Sequence, residues 1–477
     1  MADQRAQYTE EAIGAGHPTK ADTINRLALI EHNTDGTHKY DITGYKEIDL
    51  REFLSVGFVT DGSIDYSTEM QAAIDEANAS GGSTVFFPNG TWAGVGLKLK
   101  TGVILKGSPG RRTYPYQHNG TKLLLAGTGN LIDTDASTIY GVGMIGLSLV
   151  GLGAGVVGKG VRLQASRWGT FRDLTITNFA DEGFRLESGL ANIIQDSLVI
   201  NCLLDRSRGA KAGAMYIAGT DQWLSNLEIT ASSTALSDSN QYITALMIEG
   251  STHMVDKVVG EISDVGFYIN ASRCVFTNCR SDLNYGDGFQ VVGAVNKFTN
   301  CFAYRNSVET TNTYDGWVVS GHSNKFSNCE AESISTDAWA HRYGFVDNLN
   351  SNSNKNRYVN CTSSLHATGS FYVPNTRGPS IDFGNSGVAI DFTSGDATPS
   401  VSQWTNFLTN NSTPTTITFF DDGVPGQIIQ ILCNDNNTTI DDNTTIYTNT
   451  DANKLLVAGR IYRFRLSNNG SIWYEFE

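Results

Sequence analysis

The heptapeptides "RCVFTNC", "VNKFTNC", "SNKFSNC" and "KNRYVNC" begin at Arg273, Val295, Ser323 and Lys355. Each sets an aromatic three residues before a cysteine: Phe276 and Cys279, Phe298 and Cys301, Phe326 and Cys329, Tyr358 and Cys361. A flat strand sends residues i and i+3 to opposite faces. If both belong to a core, the chain must bend between them. The residue before each cysteine is Asn278, Asn300, Asn328 or Asn360, and Asn tolerates the left-handed conformation that a tight bend requires. The pattern predicts a strand, a bend at Asn, then a new strand starting at Cys.

A second column precedes the first: "GFYIN" at Gly266, "GFQVV" at Gly288, "GWVVS" at Gly316 and "GFVDN" at Gly344, with "GVRLQ", "GFRLE", "AMYIA" and "ALMIE" upstream. It reads as a short strand with alternate residues inside; Asp347 breaks the pattern. Gly266 to Cys279, Gly288 to Cys301 and Gly316 to Cys329 are each 13 residues, whereas the return legs are 9, 15 and 15. One fixed part and one elastic loop per repeat describe a solenoid. Repeats of 21 to 31 residues fit a parallel β-helix with three strands per coil. Leucine-rich repeats would need an L-x-x-L-x-L pattern that is absent. The cysteines are expected to stack in the core as small buried hydrophobes.

Composition narrows the function. The chain of 477 residues has 49 Gly, 9 Pro and a net charge of −15. A sequence-independent nucleic-acid binder should be basic, so no nucleic-acid partner is expected. No apolar run reaches the ~18 residues of a membrane span, and no membrane insertion is expected. The first residues carry no apolar core of a secretory signal. The seven cysteines include no C-x-x-C pair, against a zinc site or a disulfide framework.

Ahead of the coils lies "DGSIDYSTEMQAAIDEANASGGSTVFFPNGTW". Met70, Ala73, Ile74 and Ala77 fall at helical spacing behind a candidate N-cap at Ser67 or Thr68, and Gly81–Gly82 ends the run. This helix is expected to cap the solenoid. The stretch resembles the opening motif of the pectate-lyase-like superfamily as it occurs in bacteriophage tailspikes. "HPTKADTINRLALIEHNTDGTHKY" resembles the N-terminal segment of phage tail proteins, and "GVPGQIIQILCNDNNTTI" a small β-rich closing module. The resemblance implies a right-handed parallel β-helix over 46–392, an attachment or assembly segment over 1–45 and a β-rich trimerisation module over 393–477. It further implies a homotrimer on a virion tail, joined through its N-terminal segment to a tail or baseplate protein and acting outside the host cell. Its partner would be a bacterial surface polysaccharide.

The outward face of the "GF" strands and the elastic loops should form a groove for such a polymer. Glu187 and Glu249 share a column two coils apart, roughly 9 to 10 Å, near the upper end for an inverting glycosidase pair. Asp287 and Asp315 precede strands in adjacent coils, roughly 5 Å apart, as a retaining pair requires. Another outward column holds Asp205, Asp282, Tyr304 and Glu332, with Glu182 and Asp264 at equivalent sites. The catalytic candidates are Glu249, Asp287, Asp315, Glu187 and Asp264. Substrate-binding candidates are Tyr268, Arg185, Tyr304, Arg305, Trp339, His341 and Arg342. The cluster Trp339, His341, Arg342 and Tyr343 would instead suit β-elimination on a uronate. No Asp cluster matches the calcium site of pectate lyases, and neither metal nor cofactor is expected. The expectation is a depolymerase that cleaves by endo-glycosidic hydrolysis; the alternatives are a polysaccharide lyase and a receptor-binding spike without turnover.

Overall fold

Asn278, Asn300, Asn328 and Asn360 have φ of 54°, 53°, 51° and 50°, so the chain bends at each Asn as the heptapeptides require. The aromatic and the cysteine on either side both face inward. Phe276, Phe298, Phe326 and Tyr358 have no exposed surface, and Cys279, Cys301, Cys329 and Cys361 are buried beside them. The bend continues upstream with other residues, at Asp196, Asn226 and Lys257. There the two flanking strands run on as one, in Ile193–Cys202, Trp223–Ala231 and Met254–Glu261.

The computed structural model describes residues 47–476, without 109–111, 114–116, 119, 135–136, 203–210, 232–241, 309–312, 334–339, 349–355, 365, 367–368, 373–379, 383–389 and 402–405. The segment 1–45, Asp205 and Trp339 therefore lie outside the described residues. The coils form a right-handed parallel β-helix. Wall A carries the "GF" strands, among them Phe184–Leu190, Lys211–Thr220, Tyr242–Ser251, Val265–Ser272, Phe289–Val291, Trp317–Val319 and Tyr343–Asp347. Wall B carries the aromatic of each heptapeptide, as in Lys297–Thr299 and Lys325–Ser327. Wall C follows each cysteine, as in Arg280–Asp282 and Phe302–Tyr304. Pairing is parallel and in register, with Phe267 on Phe289 on Trp317 on Phe345 in wall A.

Like therefore stacks on like. Phe276, Phe298, Phe326 and Tyr358 form one column with ring centroids 4.6 to 4.8 Å apart. Such ring pairs add about 0.5–1.5 kcal/mol each beyond burial. The other Asn of the heptapeptides, which the sequence reading passed over, is equally structural. Asn296, Asn324 and Asn356 are fully buried where wall A turns into wall B. Asn324 Oδ1 accepts the backbone N–H of Asn296 at 2.8 Å, and Asn356 Oδ1 accepts that of Asn324 at 2.9 Å. Their amides donate to the carbonyls of Gly293 and Gly321. Each Asn thus satisfies two backbone groups that the corner removes from the ladder. Gln222 and His253 extend this corner upstream. His253 Nδ1 accepts the Gln222 N–H at 3.2 Å, leaving Nε2 as the donor toward the Glu249 carbonyl.

Asp347 finds its explanation here. Its inward position in the Val291–Val319 column buries it. Tyr358 Oη donates to its carboxylate at 3.0 Å, and Asn356 Nδ2 lies 3.1 to 3.2 Å from both oxygens. The one Tyr in the Phe column serves the one Asp in the Val column.

Helix α1, Ser67–Ala79, lays Met70, Ala73, Ile74 and Ala77 on the end of the core, all fully buried. Its N-cap position is Tyr66 rather than Ser67 or Thr68, and the first amide is bound by a neighbour: Asp65 Oδ1 accepts the Ser67 N–H at 2.9 Å. Ser67 Oγ is taken instead by the Val95 N–H. A separate core from Phe392 to Trp473 serves the C-terminal residues. Its strands Asn406–Leu408 and Ile428–Leu432 pair in parallel, and the antiparallel strands Ile461–Leu466 and Trp473–Phe476 close it. Among the described residues no helix is long and apolar enough to cross a membrane.

Removing one rung of the Asn ladder should be costly. Asn324→Ala strands the Asn296 N–H and the Gly293 carbonyl in the interior, and a buried unsatisfied group costs about 1–3 kcal/mol. Chemical denaturation should show a loss of roughly 2–4 kcal/mol. A loss below about 1 kcal/mol would mean that the corner relaxes or admits water.

Candidate functional site

Register decides which side chains meet along wall A. One column, at the turn onto the wall, runs Glu182, Gly213, Thr244, Val265, Asp287, Asp315 and Tyr343. Asp287 and Asp315 are thus direct neighbours in adjacent coils. The Asp315 N–H donates to Asp287 Oδ1 at 2.8 Å, and Gln290 Nε2 donates to Asp287 Oδ2 at 2.8 Å. Arg342, in the next coil, closes on Asp315 with Nε to Oδ1 at 3.1 Å and Nη2 to Oδ2 at 2.7 Å. The Tyr343 N–H adds a third bond to Asp315 Oδ1.

These contacts separate two chemically identical groups. Burial, and then the charge of Asp315, push the Asp287 carboxyl up to about 6. Burial raises Asp315 as well, against the pull of the Arg342 guanidinium. A bidentate guanidinium and a backbone N–H favour the ionised form. Asp287 keeps its proton into the weakly acidic range, while Arg342 and the Tyr343 N–H work against the burial that raises Asp315. Both carboxyls are buried rather than open to a groove as expected: Asp287 is 9% and Asp315 1% exposed, whereas the Arg342 side chain bonded to Asp315 is 43% exposed.

A second cluster lies upstream on the same wall. Glu187 accepts from Arg162 Nε and from Arg185 Nε, each at 3.0 Å. Arg185 also bonds Glu182, which is shared with Lys159. The cations hold Glu187 and Glu182 below the usual carboxylate range despite burial. The Arg185 guanidinium lies 4.2 Å over the Tyr216 ring, and Tyr216 Oη donates to Glu249 Oε2 at 2.7 Å. Glu187 and Glu249 thus share a surface, linked through Arg185 and Tyr216. Arg162 and Tyr216 were missed in the sequence, although both occupy outward positions, of "GVRLQ" and "AMYIA".

Other expectations are corrected. Asp264 is not outward: it is 1% exposed, and its Oδ2 accepts the Ile243 N–H of the preceding coil at 3.0 Å. Glu182 belongs to the Asp287 column rather than to that of Asp282. Tyr268 points outward by register but is 8% exposed, so it offers no open stacking face. His341 is fully buried, accepts the Asn306 N–H at Nε2 and stacks on His366; burial holds it well below the usual histidine range, as a neutral core residue. Tyr304 and Arg305 sit on the wall C side with Arg280 and Asp282, and both guanidiniums lie 5.3 Å from the Tyr304 ring. Among the described residues no group of three or more acidic, His or Cys side chains is placed to hold a metal ion.

No family model matches the sequence, and no curated protein does. Solved structures are similar in fold. A mutant tailspike protein of E. coli bacteriophage HK620, in complex with a hexasaccharide, aligns with TM-score 0.57 at 11% identity over 84% of this chain and 75% of its own. The A-module of a mannuronan C-5 epimerase from Azotobacter vinelandii aligns with TM-score 0.48 at 13% identity, over 71% and 100%. The enzymatically active domain of bacteriophage CBA120 tailspike protein 2 aligns with TM-score 0.47 at 14% identity over 66% of this chain, which spans about half, 47%, of that one.

The Asp287 shift predicts a stability signature. With a folded pKa of about 6 against an ordinary 3.8, the folded protein holds this proton more tightly than the unfolded chain. Its contribution is fully present below the ordinary value and is lost as pH rises toward 6. The loss is on the order of 2–3 kcal/mol. Asp287→Asn should remove it, so the variant gains on the parent between pH 4 and pH 7 in denaturation experiments. A parallel pH dependence of the two proteins would contradict the assignment.

Proposed function

We propose that this protein binds an extended bacterial surface polysaccharide, whether capsule, exopolysaccharide or O-antigen, along the outside of wall A, and cleaves it within the chain by glycosidic hydrolysis. The observation that carries this reading is the Asp287–Asp315 pair. They occupy matching positions in adjacent coils, whose strands lie about 4.8 Å apart, close to the ~5–5.5 Å between the carboxyls of a retaining pair. Asp287 keeps its proton up to about pH 6, and Arg342 favours the ionised form of Asp315 against its burial, a difference in the direction that acid-assisted glycoside cleavage needs. Asp287 gives its proton to the leaving glycosidic oxygen. Asp315, whose ionised form Arg342 and the Tyr343 N–H favour, is the group that would meet the positive charge developing at the anomeric carbon, once the Arg342 side chain over it gives access. Asp287 then takes a proton from the incoming water. The hexasaccharide bound by the HK620 tailspike, on a related fold, supports an oligosaccharide as the ligand class.

Elimination receives less support. It needs a base and a cation for the uronate carboxylate, and of its candidates His341 is buried and Arg342 is already engaged by Asp315. The same reading takes the protein as a homotrimeric spike on a phage tail, attached through residues 1–45.

Incubation with capsule or lipopolysaccharide from candidate hosts should release reducing ends without the ultraviolet absorbance of an unsaturated uronate. Asp287→Asn should lower turnover by roughly 10²-fold or more. The rate should decline as pH rises through about 6, where Asp287 gives up its proton. An unsaturated product would make the reaction an elimination, and binding without either product would make the protein an adhesin. Light scattering should give a mass three times that of the 51.7 kDa chain; a monomer at micromolar concentration would remove the trimer.

A further inference from the structure

The upstream cluster has a chemistry of its own. Arg162 and Arg185 both turn onto Glu187, so their charges are matched within the chain. Tyr216 Oη is committed to Glu249 Oε2, while among the described residues the other Glu249 oxygen has a long 3.5 Å contact from the exposed Asn270 amide. We infer that Arg185, Tyr216, Glu249 and Asn270 form a second saccharide subsite, remote from the cleavage pair, that takes a neutral sugar residue of the polymer. The inference rests on the proposed polysaccharide reading and adds where the polymer is gripped and what that part of it is.

Separation argues against a shared chemical step. Thr244 lies in the Asp287 column two coils away, and Glu249 is five residues along the Thr244 strand. The strand rise and strand spacing put Glu249 and Asp287 roughly 19 Å apart. Proton transfer to one reacting centre requires hydrogen-bond reach from both groups. An extended glycan can touch both. The direct line crosses Met247 and Tyr268, which are buried; the Glu249 column continues instead through the exposed Asn270 and Val292.

Charge selects the sugar. A uronate carboxylate placed here would meet Glu249, and each described cation of the cluster is already bonded to Glu182 or Glu187. Paired hydroxyls of a neutral sugar fit better. They donate to the open Glu249 oxygen and exchange bonds with the Asn270 amide, both of which remain hydrogen-bond competent at the surface. Tyr216 stays a donor at every physiological pH, since burial and Glu249 push its hydroxyl up to about 12. Arg185 stacked on its ring and bonded to two glutamates fixes the geometry, so little ordering cost is left for binding.

The test uses the full chain carrying Asp287→Asn and an array of bacterial O-antigen and capsule oligosaccharides, neutral and uronate-bearing, in graded lengths. Adding Glu249→Gln or Tyr216→Phe should weaken long neutral fragments about tenfold, the loss expected when one hydrogen bond to a charged group goes. Fragments too short to span both sites should bind as before. Thermal melting checks that the variants fold. Equal weakening at every length would place Glu249 at the cleavage site, and no weakening would leave no subsite. Preference for uronate-bearing fragments would overturn the sugar class. Product release by the otherwise unaltered protein is scored separately. Length-dependent binding through Glu249 without any cleavage would sink the hydrolytic reading and leave this one standing.

Discussion

In a parallel, in-register solenoid the nearest neighbour of a side chain is its own counterpart one coil away, about 4.8 Å along the axis. That constraint has opposite consequences for different side chains. Aromatic rings gain from it, as the stacks from Phe267 to Phe345 and from Phe276 to Tyr358 show. Asparagines gain too, because an amide carries both a donor and an acceptor and can bond to a copy of itself. Carboxylates lose, since like charges repel and neither can donate when ionised. Where acids share a column, the protein brings in cations from neighbouring positions: Lys159 and Arg185 for Glu182, Arg342 for Asp315. Among the described residues no cation bonds Asp287, and burial together with the charge of Asp315 raises its proton affinity.

Much of the fold was legible because stacking writes itself into the sequence as repetition. The Phe–x–Asn–Cys spacing stated the bend, its conformation and the burial on both sides. The helix lid was visible from Met70, Ala73, Ile74 and Ala77, although its capping by Asp65 was not, because the capping oxygen comes from two residues before Ser67. The buried Asn296 and Asn324 escaped notice for a physical reason. Asn is usually read as a turn or surface residue, and only the coil-to-coil geometry shows that its two ends reach two orphaned backbone groups.

The site was legible in part. Column counting brought Asp287 to Asp315 and Glu187 to Glu249. It misjudged Asp264 and His341, because distance in sequence from a strand does not say whether a corner residue turns in or out. Arg342 was read as a cation for a substrate or a partner for a nearby Asp; the second holds, but which Asp it meets depends on a neighbouring coil joined by an elastic leg whose length varies. The same holds for Tyr216: its column position was countable, but its bond to Glu249 and its cover of Arg185 depend on rotamers that no spacing encodes.

Repetition also creates a hazard: coils that resemble one another can pair one repeat out of phase with little loss of apolar contact. The Asp347–Tyr358 bond acts against such slippage. Slide wall A by one coil and Asp347 would face the ring of Phe326, with no hydroxyl to meet it, while Tyr358 would bury its own hydroxyl against hydrocarbon. Either error leaves a polar group unsolvated, and the two occur together. A single out-of-pattern pair near the end of the solenoid therefore serves as a phase mark, making one alignment of otherwise interchangeable coils distinguishable from its neighbours.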